Sequence, residues 1–316
     1  MIIQVLLLIS GLALLITGAH GLVDGASALA KKFKVSDLAI GLTIVAFGTS
    51  APELVVSIFA SFQNHQDIVF GNVVGSNNFN LFIILGITGL IAPMVVQSST
   101  IWKEIPISFL GIALAYILTH HIFGTDQNIL TRIDGLILLI LFGFFLYYVN
   151  KQLKSDPVTI ENKAATYSNL KTYSYIIFGL AGLVIGGRLL VTTAVDMATT
   201  IGMSEKLIGL TIVAAGTSLP ELATSVVAAF KKNSDIAVGN IIGSNIFNLF
   251  FILATSAVIR PIVYDTVFDL DLYILAGGTI FVFIAMFTGK KKKLDRWEAA
   301  ILLVSYIAYL VYVIQK

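Results

Sequence analysis

The sequence predicts an all-α, polytopic membrane protein with ten transmembrane helices, arranged as two inverted-topology repeats of five. Three observations predict this fold class: an apolar composition, ten apolar segments of spanning length, and a pair of motifs that occurs in both halves. Of the 316 residues, 57% are hydrophobic and only 12% are charged, and the mean hydropathy is +0.92. A water-soluble domain of this size needs a larger charged surface, so most of the chain is expected to face lipid.

Ten apolar segments approach or exceed the roughly 20 residues that a helix needs to cross a hydrocarbon core. The predicted spans are residues 3–23, 37–62, 67–92, 101–120, 131–150, 172–194, 205–230, 235–259, 269–288 and 297–315. The first is expected to be a retained helix and not a signal peptide, because it has no basic start and residues 11–19 resemble residues 179–187 in mid-chain. The polar residues 151–171 are predicted to link the halves.

The internal repeat is the most informative feature of the sequence. With an offset of 168, residues 40–85 match residues 208–253 at 29 of 46 positions. The first repeat is assigned to residues 1–155, with its motif region at about 37–92, and the second to residues 156–316, with its motif region at about 205–259. Because each repeat has an odd number of helices, the second enters the membrane from the opposite side, as in secondary transporters.

The chain is expected in a cell (inner) membrane, and its basic residues predict its orientation there. With the N-terminus placed outside, fifteen of the twenty lysines and arginines fall on the inner side and five at or near the outer side. Both termini are therefore predicted to lie outside, and residues 151–171 inside.

Two glutamates, Glu53 and Glu221, occupy matched positions near the centres of the second and seventh spans. A charged side chain at that depth costs at least about 2.5–3.5 kcal/mol on insertion scales, so it normally has a partner or a function. A structural ion pair is the simpler alternative, but no lysine or arginine lies at a comparable depth in any predicted span. A bound cation is therefore the favoured partner of these carboxylates.

Each glutamate follows a proline, Pro52 or Pro220, which removes a backbone hydrogen bond and breaks or kinks the helix. A simple kink is common in membrane helices, but here it coincides with nearby hydroxyl groups in both halves. The hydroxyl residues are Thr49, Ser50, Thr217 and Ser218. Hydroxyls, carbonyls and carboxylates are hard oxygen donors that suit sodium and calcium, so each break is predicted to face an ion.

A polar stripe with a four-residue period runs along the third and eighth spans. Ser76, Asn80, Ser244 and Asn248 are interpreted as ion ligands, although small and amide side chains also hold membrane helices together. Four further asparagines could equally be ligands or packing contacts: Asn72, Asn77, Asn240 and Asn245.

These motifs resemble the two α-repeats of sodium/calcium exchangers, in the prokaryotic branch of the calcium/cation antiporter superfamily. The residues that carry the resemblance are Gly-Thr-Ser-x-Pro-Glu at 48–53 and 216–221, and Gly-Asn-x-x-Gly-Ser-Asn-x-Phe-Asn at 71–80 and 239–248. The resemblance implies a Na⁺/Ca²⁺ antiporter that works by alternating access. It implies that Ca²⁺ is held by Glu53, Glu221 and the backbone region of Thr49 and Thr217. It also implies flanking sodium sites at Ala46, Ser50, Ser76, Ala214, Ser218 and Ser244.

The counter-ion is expected to be sodium. Potassium-dependent relatives carry an aspartate where this chain has Asn80 or Asn248, and proton-coupled relatives carry a glutamate after the Gly-Asn start, which is absent here. Coupling to H⁺ or K⁺ is the alternative, and a passive cation channel is less favoured because conduction requires weak sites.

No enzyme is predicted, because no histidine, cysteine or aspartate accompanies the glutamates at the midplane for metal-assisted or acid–base chemistry. Three Na⁺ for one Ca²⁺ would overfill two carboxylates by one charge, so exchange is expected to be electrogenic. No cofactor or nucleic acid is expected; the ions and the lipid bilayer are the expected partners of a monomer.

Overall fold

The computed structural model describes residues 2–120, 128–155, 167–200, 214–289 and 291–315, and almost all of them are helical. The helices of the first half are α1 (Ile2–Phe33), α2 (Asp37–Thr49), α3 (Ala51–Phe62), α4 (Gln66–Ile91), α5 (Thr100–Thr119) and α6 (Arg132–Ser155). Those of the second half are α7 (Asn169–Thr200), α8 (Ala214–Gly216), α9 (Leu219–Phe230), α10 (Ser234–Ile259), α11 (Asp269–Ala285) and α12 (Arg296–Gln315).

The predicted spans agree with these helices. Within the described residues, eight helices are long and apolar enough to cross a bilayer, and α2 with α3 forms a ninth span bent by 47°. The seventh predicted span is represented by α8 and α9, since residues 201–213 lie outside the described part. The expected boundary between the halves, at residues 155 and 156, borders residues 156–166, which also lie outside it. Helix α1 extends ten residues beyond the predicted end of its span at residue 23.

The two motif-bearing helices α4 and α10 form the centre of the protein. In the most apolar stretch of each helix, the share of residues that are buried is 94% for α10 and 67% for α4. The same share is 22–39% for α1, α5, α6, α7, α11 and α12. The exposed side chains on these outer helices are largely apolar, as lipid contact requires.

Helices α1 and α7 lie against each other at backbone contact distance. A Cβ added to Gly18 would lie 2.8 Å from the carbonyl oxygen of Gly179, and a Cβ added to Gly179 would lie 2.6 Å from the backbone nitrogen of Leu22. Only glycine fits such a contact, which is the usual role of small residues between membrane helices.

Two short antiparallel strand pairs join the halves. Strand β1 (Met94–Val95) pairs with β4 (Lys293–Leu294), and β2 (Ile129–Leu130) pairs with β3 (Ile262–Val263). The registers are Met94 opposite Leu294 and Ile129 opposite Val263. Because β1 follows α4 and β4 precedes α12, the pair requires both loops to lie on one side of the membrane, as the inverted repeat predicts.

These strands define two faces of the molecule. The linker face carries β1, β4 and the ends of α6 and α7 that adjoin residues 156–166; the opposite face carries β2 and β3. On the opposite face, His120 Nε2 lies 3.2 Å from Asp269 Oδ1, and Tyr264 donates a 2.6 Å hydrogen bond to the same oxygen. Burial and the neighbouring Asp269 carboxylate raise the pKa of the Tyr264 hydroxyl, which therefore stays protonated and able to donate.

Candidate functional site

The two glutamates meet at the interface of the repeats, next to a break in each helix. Ser50 is the single residue between α2 and α3, and Thr217 and Ser218 separate α8 from α9. Pro52 and Pro220 lie in the first turn of the helices that follow, where a missing backbone N–H costs little. Glu53 and Glu221 are therefore first-turn residues, each 1% exposed.

Serines from opposite halves hold one oxygen of each carboxylate. Ser50 donates a 2.8 Å hydrogen bond to Glu221 Oε1, and Ser218 donates a 3.0 Å bond to Glu53 Oε1. Each serine stands three residues before the glutamate of its own half, but it hydrogen-bonds the glutamate of the other half. The helix break redirects the serine across the interface, so each half contributes a hydroxyl to the other half's carboxylate.

The serines of the third and eighth spans reach the same oxygens from their own halves. Ser76 lies 3.4 Å from Glu53 Oε1, and Ser244 lies 3.5 Å from Glu221 Oε1. Both hydroxyls are at the long end of hydrogen-bond range, so these contacts are weaker than the crossed serine bonds.

Four carboxylate and amide oxygens at this interface are buried and accept no hydrogen bond. They are Glu53 Oε2, Glu221 Oε2, Asn80 Oδ1 and Asn248 Oδ1. Buried acceptors are nearly always paired, because leaving one unpaired costs about 1–3 kcal/mol. The two ion pairs found in the described part of the chain, at His120 and at Lys231, involve neither glutamate. A cluster of unpartnered oxygens with two carboxylates fits a hard cation such as Na⁺ or Ca²⁺.

The matched threonines have different partners. Thr49 Oγ1 lies 2.9 Å from Asn240 Oδ1 and 3.3 Å from the backbone oxygen of Ala46. Thr217 Oγ1 is buried, has no comparable hydrogen bond to an asparagine, and lies near the Glu53 carboxylate.

Asn72 and Asn240 fasten the broken helices to α4 and α10. Asn72 donates to Ser57 Oγ at 2.9 Å and to the Glu53 carbonyl at 3.1 Å; Asn240 donates to Ser225 Oγ at 2.9 Å and to the Glu221 carbonyl at 3.3 Å. They act as packing contacts that position the glutamate backbones. Sequence reasoning gave no role to Ser57 and Ser225, although their occurrence at the same offset of 168 was a usable signal.

Each site asparagine lies in or at a π-helical segment. Asn80 belongs to residues Phe79–Ile84 of α4, and Asn248 begins residues Asn248–Ile252 of α10. Short π-helical segments inside α-helices are frequent at functional sites. The Ala46 carbonyl oxygen accepts a 3.0 Å hydrogen bond from the Ser50 backbone nitrogen.

The surroundings of the site differ between the two faces. A mostly apolar cavity of about 560 Å³ reaches Thr217 on the side of the opposite face. It is lined by Ala51, Pro52, Val55, Val56, Phe59, Val184, Gly187, Arg188, Val191, Thr192, Gly216, Thr217 and Pro220. Towards the linker face, α1 packs against α9, and Lys231 Nζ lies 2.6 Å from Asp24 Oδ1 and donates to the His20 carbonyl at 3.3 Å.

The structure thus brings together most of the predicted ligands. Both glutamates, Ser50, Ser218, Ser76 and Ser244 share hydrogen bonds, and Asn80 and Asn248 contribute unpartnered oxygens beside them. The Ala46 carbonyl accepts hydrogen bonds from the Thr49 hydroxyl and the Ser50 backbone amide.

A pair of buried carboxylates among hydroxyl and amide oxygens, at the interface of two inverted membrane repeats, defines an ion-transporting membrane protein. A family model described as "Sodium/calcium exchanger protein" matches residues 3–151 and 171–315. The chain belongs to this family. It is a membrane antiporter of Na⁺ and Ca²⁺ and not an enzyme.

Individual relatives cover most or nearly all of the chain. The sodium/calcium exchanger MaX1 of Methanosarcina acetivorans is 32% identical over 98% of this chain and 98% of its own. The inner membrane protein YrbG of Escherichia coli (strain K12) is 36% identical over 83% and 81%. A solved structure of the sodium-calcium exchanger NCX_Mj, soaked with Na⁺ and Ca²⁺, superposes with a TM-score of 0.84 at 31% identity, covering 98% of each chain.

Proposed function

We propose that Ca²⁺ binds between Glu53 and Glu221 and that Na⁺ competes for the same cluster and for flanking positions. The observation that carries the proposal is the set of four buried oxygens without hydrogen-bond partners. Two ionised carboxylates balance one Ca²⁺, and the neutral oxygens complete its coordination. The full proposed set is Glu53, Glu221, Thr49, Thr217, Ser50, Ser218, Ser76, Ser244, Asn80, Asn248, Ala46 and Ala214.

The transport cycle follows from the charge of this site. An empty site would carry two bare carboxylates through a low-dielectric core, which is strongly unfavourable, so the protein changes conformation only when loaded. Binding of three Na⁺ in place of one Ca²⁺ leaves one net positive charge, which makes the exchange electrogenic. The cavity on the side of the opposite face and the packing of α1 against α9 towards the linker face support the proposal of alternating access.

Sodium is the proposed counter-ion, and H⁺ and K⁺ are the alternatives. Asn80 and Asn248 are amides that neither release a proton nor add a third negative charge for an additional potassium ion. Compact clusters of hydroxyl and carboxylate oxygens remain, and these suit small dehydrated cations.

We further propose that the protein acts as a monomer in a cell (inner) membrane. The halves are assigned to residues 1–155 and 156–316, both termini are placed outside, and the linker face is placed inside. The distribution of basic residues supports this orientation, because inner loops carry more lysine and arginine.

The experiment is ⁴⁵Ca²⁺ uptake by proteoliposomes that contain the purified protein. Vesicles loaded with Na⁺ and diluted into Na⁺-free buffer should accumulate Ca²⁺ against its gradient, and uptake should rise when the membrane is made inside-positive. Uptake that runs only down the Ca²⁺ gradient, with or without Na⁺, would identify a passive channel. Accumulation driven by a gradient of K⁺ or H⁺ but not of Na⁺ would show that K⁺ or H⁺ is the counter-ion.

A further inference from the structure

A closed set of asparagine hydrogen bonds lies beside the proposed ion site. Asn77 Nδ2 donates to the backbone oxygen of Asn245 at 3.2 Å, and Asn245 Nδ2 donates to the backbone oxygen of Asn77 at 3.4 Å. Asn248 Nδ2 donates to Asn77 Oδ1 at 2.9 Å, and Asn80 Nδ2 donates to Asn245 Oδ1 at 3.1 Å. All four side chains are 0–1% exposed, and the set joins α4 to α10. We call it the asparagine clasp.

The clasp fixes which way each amide points. A backbone carbonyl can only accept, so the Asn77 group that faces the Asn245 carbonyl must be its NH₂. The Asn77 side-chain oxygen then faces Asn248, and only the NH₂ of Asn248 can pair with it. The oxygen of Asn248 is consequently left on the other branch of its amide, where it has no hydrogen-bond partner. The same reasoning runs from Asn245 to Asn80.

Orientation matters because the two branches of an amide have nearly the same shape and opposite chemistry. If the Asn248 amide rotated by half a turn, it would present two N–H donors to a cation in place of an oxygen. Asn77 supplies the acceptor that holds the favourable orientation, and Asn245 does so for Asn80. The side-chain oxygens of Asn77 and Asn245 each accept a hydrogen bond within the clasp.

We propose that Asn77 and Asn245 are positioning residues: they do not ligate the ion, but they orient the amide oxygens of Asn248 and Asn80 towards it. This inference rests on the proposed function, in which Asn80 and Asn248 are ligands. Its particular claim is that each repeat sets the ligand of the other, since Asn77 of the first half orients Asn248 of the second. Groups that orient metal ligands in this way typically change metal affinity by about 10- to 100-fold when removed.

The test is a double-mutant cycle between positions 77 and 248, with Ca²⁺ affinity measured by isothermal titration calorimetry on the purified full chain. With asparagine at 248, Asn77→Ala should weaken Ca²⁺ binding by about 10- to 100-fold. With the Asn248→Asp substitution present, both branches of residue 248 are oxygens, and Asn77→Ala should cost less than about twofold. A purely structural role of Asn77 predicts the same loss in both backgrounds and would overturn the proposal.

Asn78→Ala is the matched control. Asn78 neighbours Asn77 on α4 and is 1% exposed, but it donates to the Asp271 carbonyl, outside the clasp. Asn78→Ala should leave Ca²⁺ affinity unchanged whether residue 248 is asparagine or aspartate. If Asn78→Ala weakened Ca²⁺ binding with asparagine at 248 but not with aspartate there, as expected for Asn77→Ala, the proposal would also be overturned. The mirror-image cycle of Asn245→Ala with Asn80→Asp should give the same pattern and serves if Asn77→Ala does not fold. Failure of both single variants to fold would assign the clasp a structural role and reject the inference.

Asn248→Ala separates this inference from the proposed function. If Asn248→Ala binds Ca²⁺ as tightly as the wild type, the ligand assignment is wrong. If Asn248→Ala binds weakly while Asn77→Ala binds normally, the ligand assignment stands and the positioning role is wrong.

Discussion

Replacing either glutamate with glutamine should abolish Ca²⁺ transport and leave the fold intact. In Glu53→Gln the new NH₂ takes the place of either Oε2, where it would face the cation, or Oε1, which accepts from Ser218 and Ser76. Both orientations lose an oxygen contact together with the charge. Glu221→Gln has the same consequence through Ser50 and Ser244.

The magnitude follows from the burial of the site. Removing one partner from a buried charge pair costs about 3–5 kcal/mol, because the remaining charge stays desolvated. With 1.4 kcal/mol for each tenfold change, Ca²⁺ affinity should fall by about two to four orders of magnitude. Both glutamates are 1% exposed, so water can replace little of the lost contact.

The assay is calorimetric Ca²⁺ binding together with Na⁺-driven ⁴⁵Ca²⁺ uptake by proteoliposomes. Glu104→Gln is the control, since Glu104 is an equally buried carboxylate that accepts a hydrogen bond from Tyr148 on α6, away from the site. It should bind and transport like the wild type. Ca²⁺ affinity within tenfold of the wild type in Glu53→Gln or Glu221→Gln would refute the site.

Three further predictions concern orientation, coupling and gating. The chain has no cysteine of its own, so a single cysteine can be introduced in residues 151–171. It should react with a membrane-impermeant thiol reagent only after the cells are permeabilised. Labelling in intact cells would show that the predicted orientation is wrong. A pH gradient without Na⁺, at clamped voltage, should not drive uphill Ca²⁺ accumulation, and sustained accumulation would mean proton coupling. Lys231→Ala removes the bridge to Asp24 between partly exposed side chains, which is worth at most about 1 kcal/mol. In the Lys231→Ala variant, a cysteine introduced at position 223 should therefore be labelled up to about fivefold faster by a reagent added on the linker face. Unchanged labelling would show that the Lys231–Asp24 bridge does not keep that face closed.

The positions of the site residues could be predicted from the sequence because they recur at one offset. Glu53 with Glu221, and Ser50 with Ser218, stand at matched places in both halves. A carboxylate at that depth in an apolar span requires a partner or a function, and the spans offer it no basic side chain. The proline argument was also sufficient to predict the helix breaks, because the missing N–H and the ring clash act locally.

The partners across the interface could not be predicted in this way. Spacing along one helix relates Ser50 to Glu53, yet the hydrogen bond goes to Glu221, because a single non-helical residue redirects the side chain into the other half. Likewise, the motif gives Thr49 and Thr217 equal standing, but only Thr49 hydrogen-bonds an asparagine of the other half.

The strand pairs follow a rule known from symmetric dimers. In a two-fold, isologous interface, residue i of one copy meets residue j of the other, and j meets i. Strand β1 pairs with β4 and β3 pairs with β2, which is one contact made twice with the halves exchanged. Asn77 and Asn245 likewise donate to each other's backbone carbonyls.

A chain carrying a single repeat would therefore hold both sides of every such contact. If copies of it inserted in both orientations, pairs of opposite copies could close the strand ladders and the clasp with themselves. Joining two copies by a linker makes that opposite pairing permanent and frees the halves to diverge. The fifteen-to-five distribution of basic residues then becomes useful, because a fused chain needs one orientation, whereas a chain with a single repeat would need two.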